Sequence, residues 1–287
     1  MNRFLPSKLS LIALVASICA LIVALNAGSN KTPNLAPSPD SLTHVLSTKQ
    51  IRAAILIYPP TVDIDKQSGK ASGFLIDIMN EIARRAGLSI TYEPTTFDDL
   101  KAAVTSSRYD IVVGGVFINV PRAMNMEFTT PIMYWAGVAA MVPADKVGLY
   151  QSLADLNKPS IRVAVIAGTA EYDFVKLNLP LANISPIPND DITLALAEVA
   201  AGRADVAFTD LVTMKKYVAG KPSLAIAFGG KPFNANAAGF AVKLGDADWL
   251  QFLNNSILSL QVDGTIDALS RKYNGADIWM LPKNTWQ

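Results

Sequence analysis

At 287 residues the chain is long enough for one large domain or two of medium size, and its 51% hydrophobic content supplies a sizeable core. Lys plus Arg number 25 against 24 Asp plus Glu, leaving a net charge of +1. That balance argues against nucleic acid or an anionic membrane surface as a partner, since both draw a basic excess.

Arg3 and Lys8 precede an almost uninterrupted apolar run from Leu9 to Leu25. A basic start followed by such a run reads as export, so residues 1–28 are a signal peptide or an uncleaved membrane anchor through residues 9–25. Cys19, the only cysteine, lies within this run after Ile18, where lipid modification calls for a small residue. It therefore reads as a core residue of the segment, and neither disulfides nor thiolate chemistry is available to the exported part. Residues 29–45 follow as a Pro/Ser-rich linker. The only histidine, His44, comes at its end, which excludes a Ser–His pair in the folded body and a His-rich metal site. No metal and no cofactor are expected.

Ile51–Tyr58 is a β-rich run closed by Pro59-Pro60. In Gly73–Ala86 the residues Phe74, Ile78 and Ile82, with Leu75, Met79 and Ala83, share one helical stripe, and Gly87 stands where a C-terminal cap belongs. Leu88–Tyr92 reads as a strand, Phe97–Ser106 as a helix and Tyr109–Val113 as a strand. Alternation of this kind implies parallel strands joined by crossover helices, with ligands held beyond the carboxyl ends of the strands. Tyr58 and Gly114-Gly115 occupy such ends. Glycine lets a backbone approach something closely, and Arg122, a few residues on, offers a planar fork that fits a carboxylate or phosphate. The plainer alternative makes Arg122 a surface residue after a turn.

The same grammar repeats. Ile161–Ile166 is a strand that ends in Ala167-Gly168-Thr169-Ala170-Glu171 at a helix start, where free N–H groups attract an anion. Ile184–Ile187 is a strand, Asp190–Ala201 a helix with Asn189 or Asp190 as N-cap, and Asp205–Thr209 a strand. Asp210 at its carboxyl end either caps the next helix or meets a ligand. Gly239–Lys243 is a last strand, and Asp248–Tyr273 is two helices broken near Asp263-Gly264. Two α/β units, with the C-terminal segment returning to the first, leave a cleft between lobes, the preferred place for a small ligand.

Four stretches in order resemble the periplasmic solute-binding proteins of the polar amino-acid type. GFLIDIMNEIARRAG is similar to the family's first helix and YDIVVGGVFINVPRAMNMEFTTP to its central ligand loop. GTAEYDF with GRADVAFTD is similar to the second-lobe pair, and GFAVKLGD through VDGTIDALSRKY to the ending. The resemblance spans about Leu46 to Tyr273. It implies an α/β, two-lobe periplasmic-binding fold (type II), each lobe a mostly parallel sheet flanked by helices. Lobe 1 would be residues 46–140 plus 240–287 and lobe 2 residues 141–239, with crossovers near Val138–Lys146 and Gly229–Gly239. It further implies that Arg122 holds a ligand α-carboxylate with help from the backbone near Gly115 and from Thr169. Asp210 would receive the α-ammonium and Tyr58 would pack on the ligand. This chain departs from the family where Phe117 replaces a Ser or Thr, Thr61 replaces an aromatic residue and Leu75 replaces an acid. The first two changes fall in the pocket and leave ligand identity open.

One branch of the family, the cyclohexadienyl dehydratases, resembles this chain at Ile118-Asn119 and at Gly168-Thr169-Ala170-Glu171. There Glu171 matches the general acid that acts on prephenate or arogenate. Binding members also carry this glutamate, and a helix dipole alone favours it. The expectation is an exported, monomeric binding protein that delivers an amino acid or related carboxylate to an ABC permease of the inner membrane. A dehydratase, and a ligand-sensing module of a signalling system, are the rivals.

Overall fold

The computed structural model describes residues 40–274 apart from Lys66 and Asp190. The expected export segment, most of the linker, the candidate cap Asp190 and the chain beyond residue 274 lie outside the described residues. Residues 41–45, expected as the linker's end, instead open helix α1 (Ser41–Thr48). Asp40 caps it by accepting from the Thr43 N–H at 2.6 Å, Asp246 accepts from the Ser41 N–H at 3.1 Å, and Val45 is buried.

β1 (Gln50–Leu56), a two-residue hairpin of β2 (Asp63–Ile64) and β3 (Ala71–Ser72), α2 (Phe74–Ala86), β4 (Ser89–Thr95), α3 (Leu100–Thr105) and β5 (Ile111–Phe117) follow. The stripe expected on α2 is buried throughout, and Gly87 ends the helix in the left-handed region at φ 68°, as a capping glycine does. β1 pairs in parallel with β4 from Gln50↔Ser89 to Leu56↔Thr95, and with β5 from Ala53↔Ile111 to Ile55↔Val113. β5 runs on to Phe117, so Gly114 and Gly115 lie inside the strand and not at its end. A Cβ on Gly114 would stand 2.6 Å from that of Leu56 on β1, so two strands in close contact require this glycine.

The chain continues through α4 (Val120–Ala123), β6 (Met126–Phe128), β7 (Tyr134–Ala136), β8 (Val138–Pro143), α5 (Leu153–Leu156), β9 (Arg162–Ile166), α6 (Ala170–Asn178) and β10 (Asn183–Ile187). α7 (Thr193–Ala200), β11 (Val206–Asp210), α8 (Leu211–Val218), β12 (Leu224–Ile226), β13 (Asn236–Lys243), α9 (Ala247–Val262) and α10 (Thr265–Asn274) complete it. Asn189 lies ahead of α7 and accepts from the Asp191 N–H at 2.8 Å; Asp191 in turn accepts from the Thr193 N–H at 2.9 Å. The turn before the helix thus uses both side chains, and the helix starts later than expected.

Two sheets result. The first has the order β4-β1-β5-β13-β6, with β7 also on β13, and the second β10-β9-β11-β8-β12. Helices join β1, β4 and β5, and likewise β9, β10 and β11, and those pairs are parallel. β13, β6 and β7 in the first sheet and β8 and β12 in the second pair antiparallel. Each sheet is therefore mixed, a parallel half extended by antiparallel strands, of which β8 and β13 follow directly on a crossing between the lobes. β7 belongs to the first sheet and β8 to the second, so the first crossing is at Gly137, ahead of the expected stretch. A Cβ on Gly137 would overlap Pro232 and stand 2.7 Å from the Asn234 carbonyl oxygen. The two crossings press together there, which only glycine permits. α9 brings the C-terminal segment back to the first sheet: Trp249 is fully buried, and its indole N–H donates to the Asp110 carbonyl at 2.7 Å.

Candidate ligand-binding site between the lobes

The first lobe contributes from the carboxyl ends of β1 and β5. After β5 the chain turns into α4, capped by Asn119, whose Oδ1 accepts from the Arg122 N–H at 2.9 Å. The cap fixes the backbone of Arg122, and the side chain folds back across the lobe boundary. Its Nη1 donates to the Phe117 carbonyl at 2.9 Å and its Nη2 to the Gly168 carbonyl of the second lobe at 3.0 Å. Burial pushes the guanidinium pKa down, while Glu171 and Asp173 pull it back up. Arg122 is thus not the free surface arginine of the plainer reading.

Tyr58 lies just past the end of β1 in a turn closed by Val62. Its ring meets Phe97 edge-on with centroids 6.3 Å apart. Its hydroxyl donates to Asp210 Oδ2 across the boundary. Desolvation first, then the charges of Asp210 and Glu171, push the Tyr58 phenol well up, so it is a neutral donor at any physiological pH.

The second lobe answers with two helix starts. Thr169 caps α6, accepting from the Tyr172 N–H at 3.2 Å while donating to the Ile166 carbonyl at 2.8 Å. Asp210 caps α8 by accepting from the Val212 and Thr213 N–H groups at 2.9 and 3.1 Å. The cap and ligand roles weighed for Asp210 are compatible, because one oxygen serves the helix and the other faces Tyr58. Glu171, in the first turn of α6, is only 3% exposed, and its Oε1 has no hydrogen-bond partner among the described residues. Its pKa is raised from 4.5 to about 7 by desolvation and then by the charge of Asp210; its own backbone N–H, Arg122 and Thr169 counteract this only in part.

Two expected roles take a different form. The space over Gly115 is filled by Tyr134, since a Cβ there would overlap the Tyr134 hydroxyl. The glycine therefore admits a protein side chain. Phe117, where a ligand-facing hydroxyl is the family pattern, buries its ring in the cluster of Met133, Tyr134 and Val212 and offers Arg122 its carbonyl. Thr61 is also buried, and its hydroxyl closes the turn on the Tyr58 carbonyl at 2.6 Å. Tyr134 is the residue that the sequence reading missed. It is buried, and its phenol is raised by burial and by the charges of Asp210 and Glu171. Only the adjacent Gly114 and Gly115 hinted that a side chain must fit against β5.

Tyr58, Arg122, Tyr134, Thr169, Glu171 and Asp210 thus meet in one interlobe region, with Phe117 and Gly115 as its supports. One permanent cation faces two carboxyls and two phenols. Such a set can hold a small molecule that carries both an anionic and a cationic group. Among the described residues no group of His, Cys, Asp and Glu is placed to hold a metal ion, and no helix is long and apolar enough to cross a membrane.

The sequence profile of the bacterial extracellular solute-binding proteins, family 3, matches residues 51–276. The L-cystine-binding protein TcyJ of Escherichia coli (strain K12) is 28% identical over 221 residues, which is 77% of this chain and 80% of that protein. A probable histidine-binding protein of Neisseria gonorrhoeae is 26% identical over 278 residues, 95% of this chain and 96% of the other. Among solved structures, the ancestral amino acid-binding protein AncCDT-1, a precursor of cyclohexadienyl dehydratase, gives a TM-score of 0.73 at 30% identity. The match covers 82% of this chain and 99% of that one. An ancestral arginine-binding protein bound to arginine gives 0.72 at 27% identity, covering 79% and 99%.

Proposed function

The chain belongs to the bacterial extracellular solute-binding proteins, family 3, and from that premise we propose that it captures an amino acid outside the cytoplasm and hands it to an ABC permease. One observation supports this above the others: Arg122 of the first lobe and the buried pair Glu171 and Asp210 of the second face the same interlobe space. The ligand α-carboxylate goes to the Arg122 fork and its α-ammonium to Asp210, beside the Tyr58 hydroxyl. Each charge sits on a different lobe, so the closed arrangement is favoured by a molecule that meets both. A ligand shifts the open–closed equilibrium only by its difference in affinity for the two states. Bridging contacts supply that difference. Relatives in the family are named as binding proteins for cystine and arginine and as a probable histidine-binding protein, which supports an amino acid as the ligand class. Release to the periplasm or tethering through residues 9–25, the permease as partner and a monomeric state belong to the same proposal.

A second reading has its own support. A carboxyl with a pKa of about 7, buried and lacking a partner on Oε1, is what a general acid requires. On that reading Glu171 gives its proton to a departing hydroxyl of prephenate or arogenate.

Ligand-observed NMR with a panel of amino acids plus prephenate and arogenate separates the two. Saturable broadening of one amino acid, with its spectrum unchanged over hours, is the expected result. Appearance of phenylpyruvate or phenylalanine from the last two, lost in Glu171→Gln, would replace binding by catalysis.

A further inference from the structure

Asp210 and Glu171 share the same buried space but not the same satisfaction. Asp210 accepts two backbone N–H bonds and the Tyr58 hydroxyl. Glu171 Oε1 accepts none among the described residues, although it is screened from water. A buried carboxyl oxygen without a donor is unfavourable, and a ligand that brings a donor removes the deficit. The groups facing Glu171 are Arg122 from α4, Asp210 from the end of β11, Tyr58 from the turn after β1 and Tyr134 from β7. Of these only Arg122 is cationic, and two of its N–H groups go to the Phe117 and Gly168 carbonyls.

The charge count then discriminates among amino acids. With both carboxyls ionised, the buried side chains named here carry one positive and two negative charges; Asp173, which acts on Arg122, and Lys216, which acts on Asp210, are exposed at the margin and of opposite sign. A net-neutral amino acid satisfies Arg122 with its carboxylate and Asp210 with its ammonium, and leaves the excess on Glu171. A second cation on the ligand cancels it, whereas an acidic side chain adds to it. Resting on the amino-acid reading, we propose that the site takes a basic amino acid and that Glu171 is the specificity-determining residue, receiving the cationic end of the ligand side chain. Binding then requires the ionised form of Glu171, and a protonated Glu171 gives up its proton as the ligand enters. Since that carboxyl titrates near pH 7 in the free protein, the coupling falls in an accessible range.

Calorimetric titration of the full chain with L-lysine, L-norleucine and L-glutamate at pH 6 and pH 8 tests this. None of these side chains changes charge between the two pH values. Lysine is expected to bind at least about thirtyfold more tightly than its uncharged isostere norleucine, the low end for a buried charge pair. Its affinity should rise about tenfold from pH 6 to pH 8, as the ionised fraction of a group of pKa about 7 does. Titrations in buffers of different ionisation heat should show about half a proton released per lysine at pH 7. In Glu171→Gln the gap between lysine and norleucine and the pH dependence both disappear. Should that variant fail to fold, the wild-type pH dependence and proton count decide. Norleucine or glutamate bound as tightly as lysine overturns the inference but leaves the amino-acid reading standing. Failure of every amino acid in the broader panel to bind overturns that reading, and the inference with it.

Discussion

The two ends of the paired sheets treat charge in opposite ways. At the amino ends each lobe carries the same device. Arg52 on β1 gives its backbone N–H and Nε to Asp110 Oδ2 at 2.7 and 3.2 Å and its Nη2 to Oδ1 at 2.7 Å. Arg162 on β9 does the same with Asp205, at 3.1 and 3.0 Å to Oδ2 and 3.0 Å to Oδ1. Both aspartates precede the strand that lies beside the arginine's own, so each fork ties two parallel neighbours at their starts. At the carboxyl ends, where the lobes meet, Arg122 spends N–H groups on two carbonyls and Glu171 keeps a buried oxygen unpaired. The chain completes its own charge pairs where it only needs strength. On the proposed function, it leaves pairs at the interlobe end for the ligand to complete.

Three substitutions break this contrast in graded fashion. Arg122→Ala is expected to weaken binding of the cognate amino acid by about 2–5 kcal/mol, the range for removing one partner of a buried charge pair. Calorimetry checks it, with thermal unfolding little changed. A loss below tenfold, about 1.4 kcal/mol, would remove Arg122 from the site.

Next comes Glu171→Gln, read through stability and not binding. The folded pKa of this acid, about 7, lies above its ordinary 4.5, so the folded state holds its proton more tightly than the unfolded chain. Its contribution is fully present below about pH 4.5, declines as pH rises through 7 and is flat above. The span is about 3 kcal/mol at 1.36 kcal/mol per unit. Urea unfolding at pH 5 and pH 8 should show that decline in the wild type and a flatter profile in Glu171→Gln. Equal declines in both would mean that burial of Glu171 does not set its titration.

The smallest expected effect belongs to the satisfied end. Asp110→Ala removes the acceptor of the Arg52 fork, a carboxylate whose Oδ1 also lies 3.2 Å from His44 Nδ1. The Arg52 side chain is 34% exposed and can turn to water, which keeps the stability loss to about 1–3 kcal/mol. Ligand affinity should stay within about twofold, because additivity holds for distant sites. A large fall in affinity without a fall in stability would erase the distinction between the two ends.

Much of this was legible in the sequence, for a physical reason in each case. The apolar stripe of α2 and its closing Gly87 are local signals, as are the β-branched runs of β1, β5 and β9. Thr169, Glu171 and Asp210 could be placed because a strand followed by a capping residue marks a helix start at a sheet's carboxyl edge. What stayed hidden depends on contacts between distant residues. The short strands β6, β7 and β12, of three residues each, carry too little pattern to announce themselves and exist because β13 or β8 offers them an edge. The Tyr134 hydroxyl over Gly115 is such a contact too, and so is the crossing at Gly137 against Pro232. A glycine shows that something comes close; it does not say what.

The bridging of Arg122 and Asp210 by one ligand is the central claim, and trimming the ligand tests it most directly. Once the NMR panel has named the amino acid, the full chain is titrated with it, with its α-carboxamide and with its N-acetyl derivative. Loss of either charge is expected to weaken binding by at least about thirtyfold, since each removes one half of a bridge between the lobes. An α-carboxamide that binds as tightly as the parent would contradict the role of Arg122, and an N-acetyl derivative that does so would contradict that of Asp210.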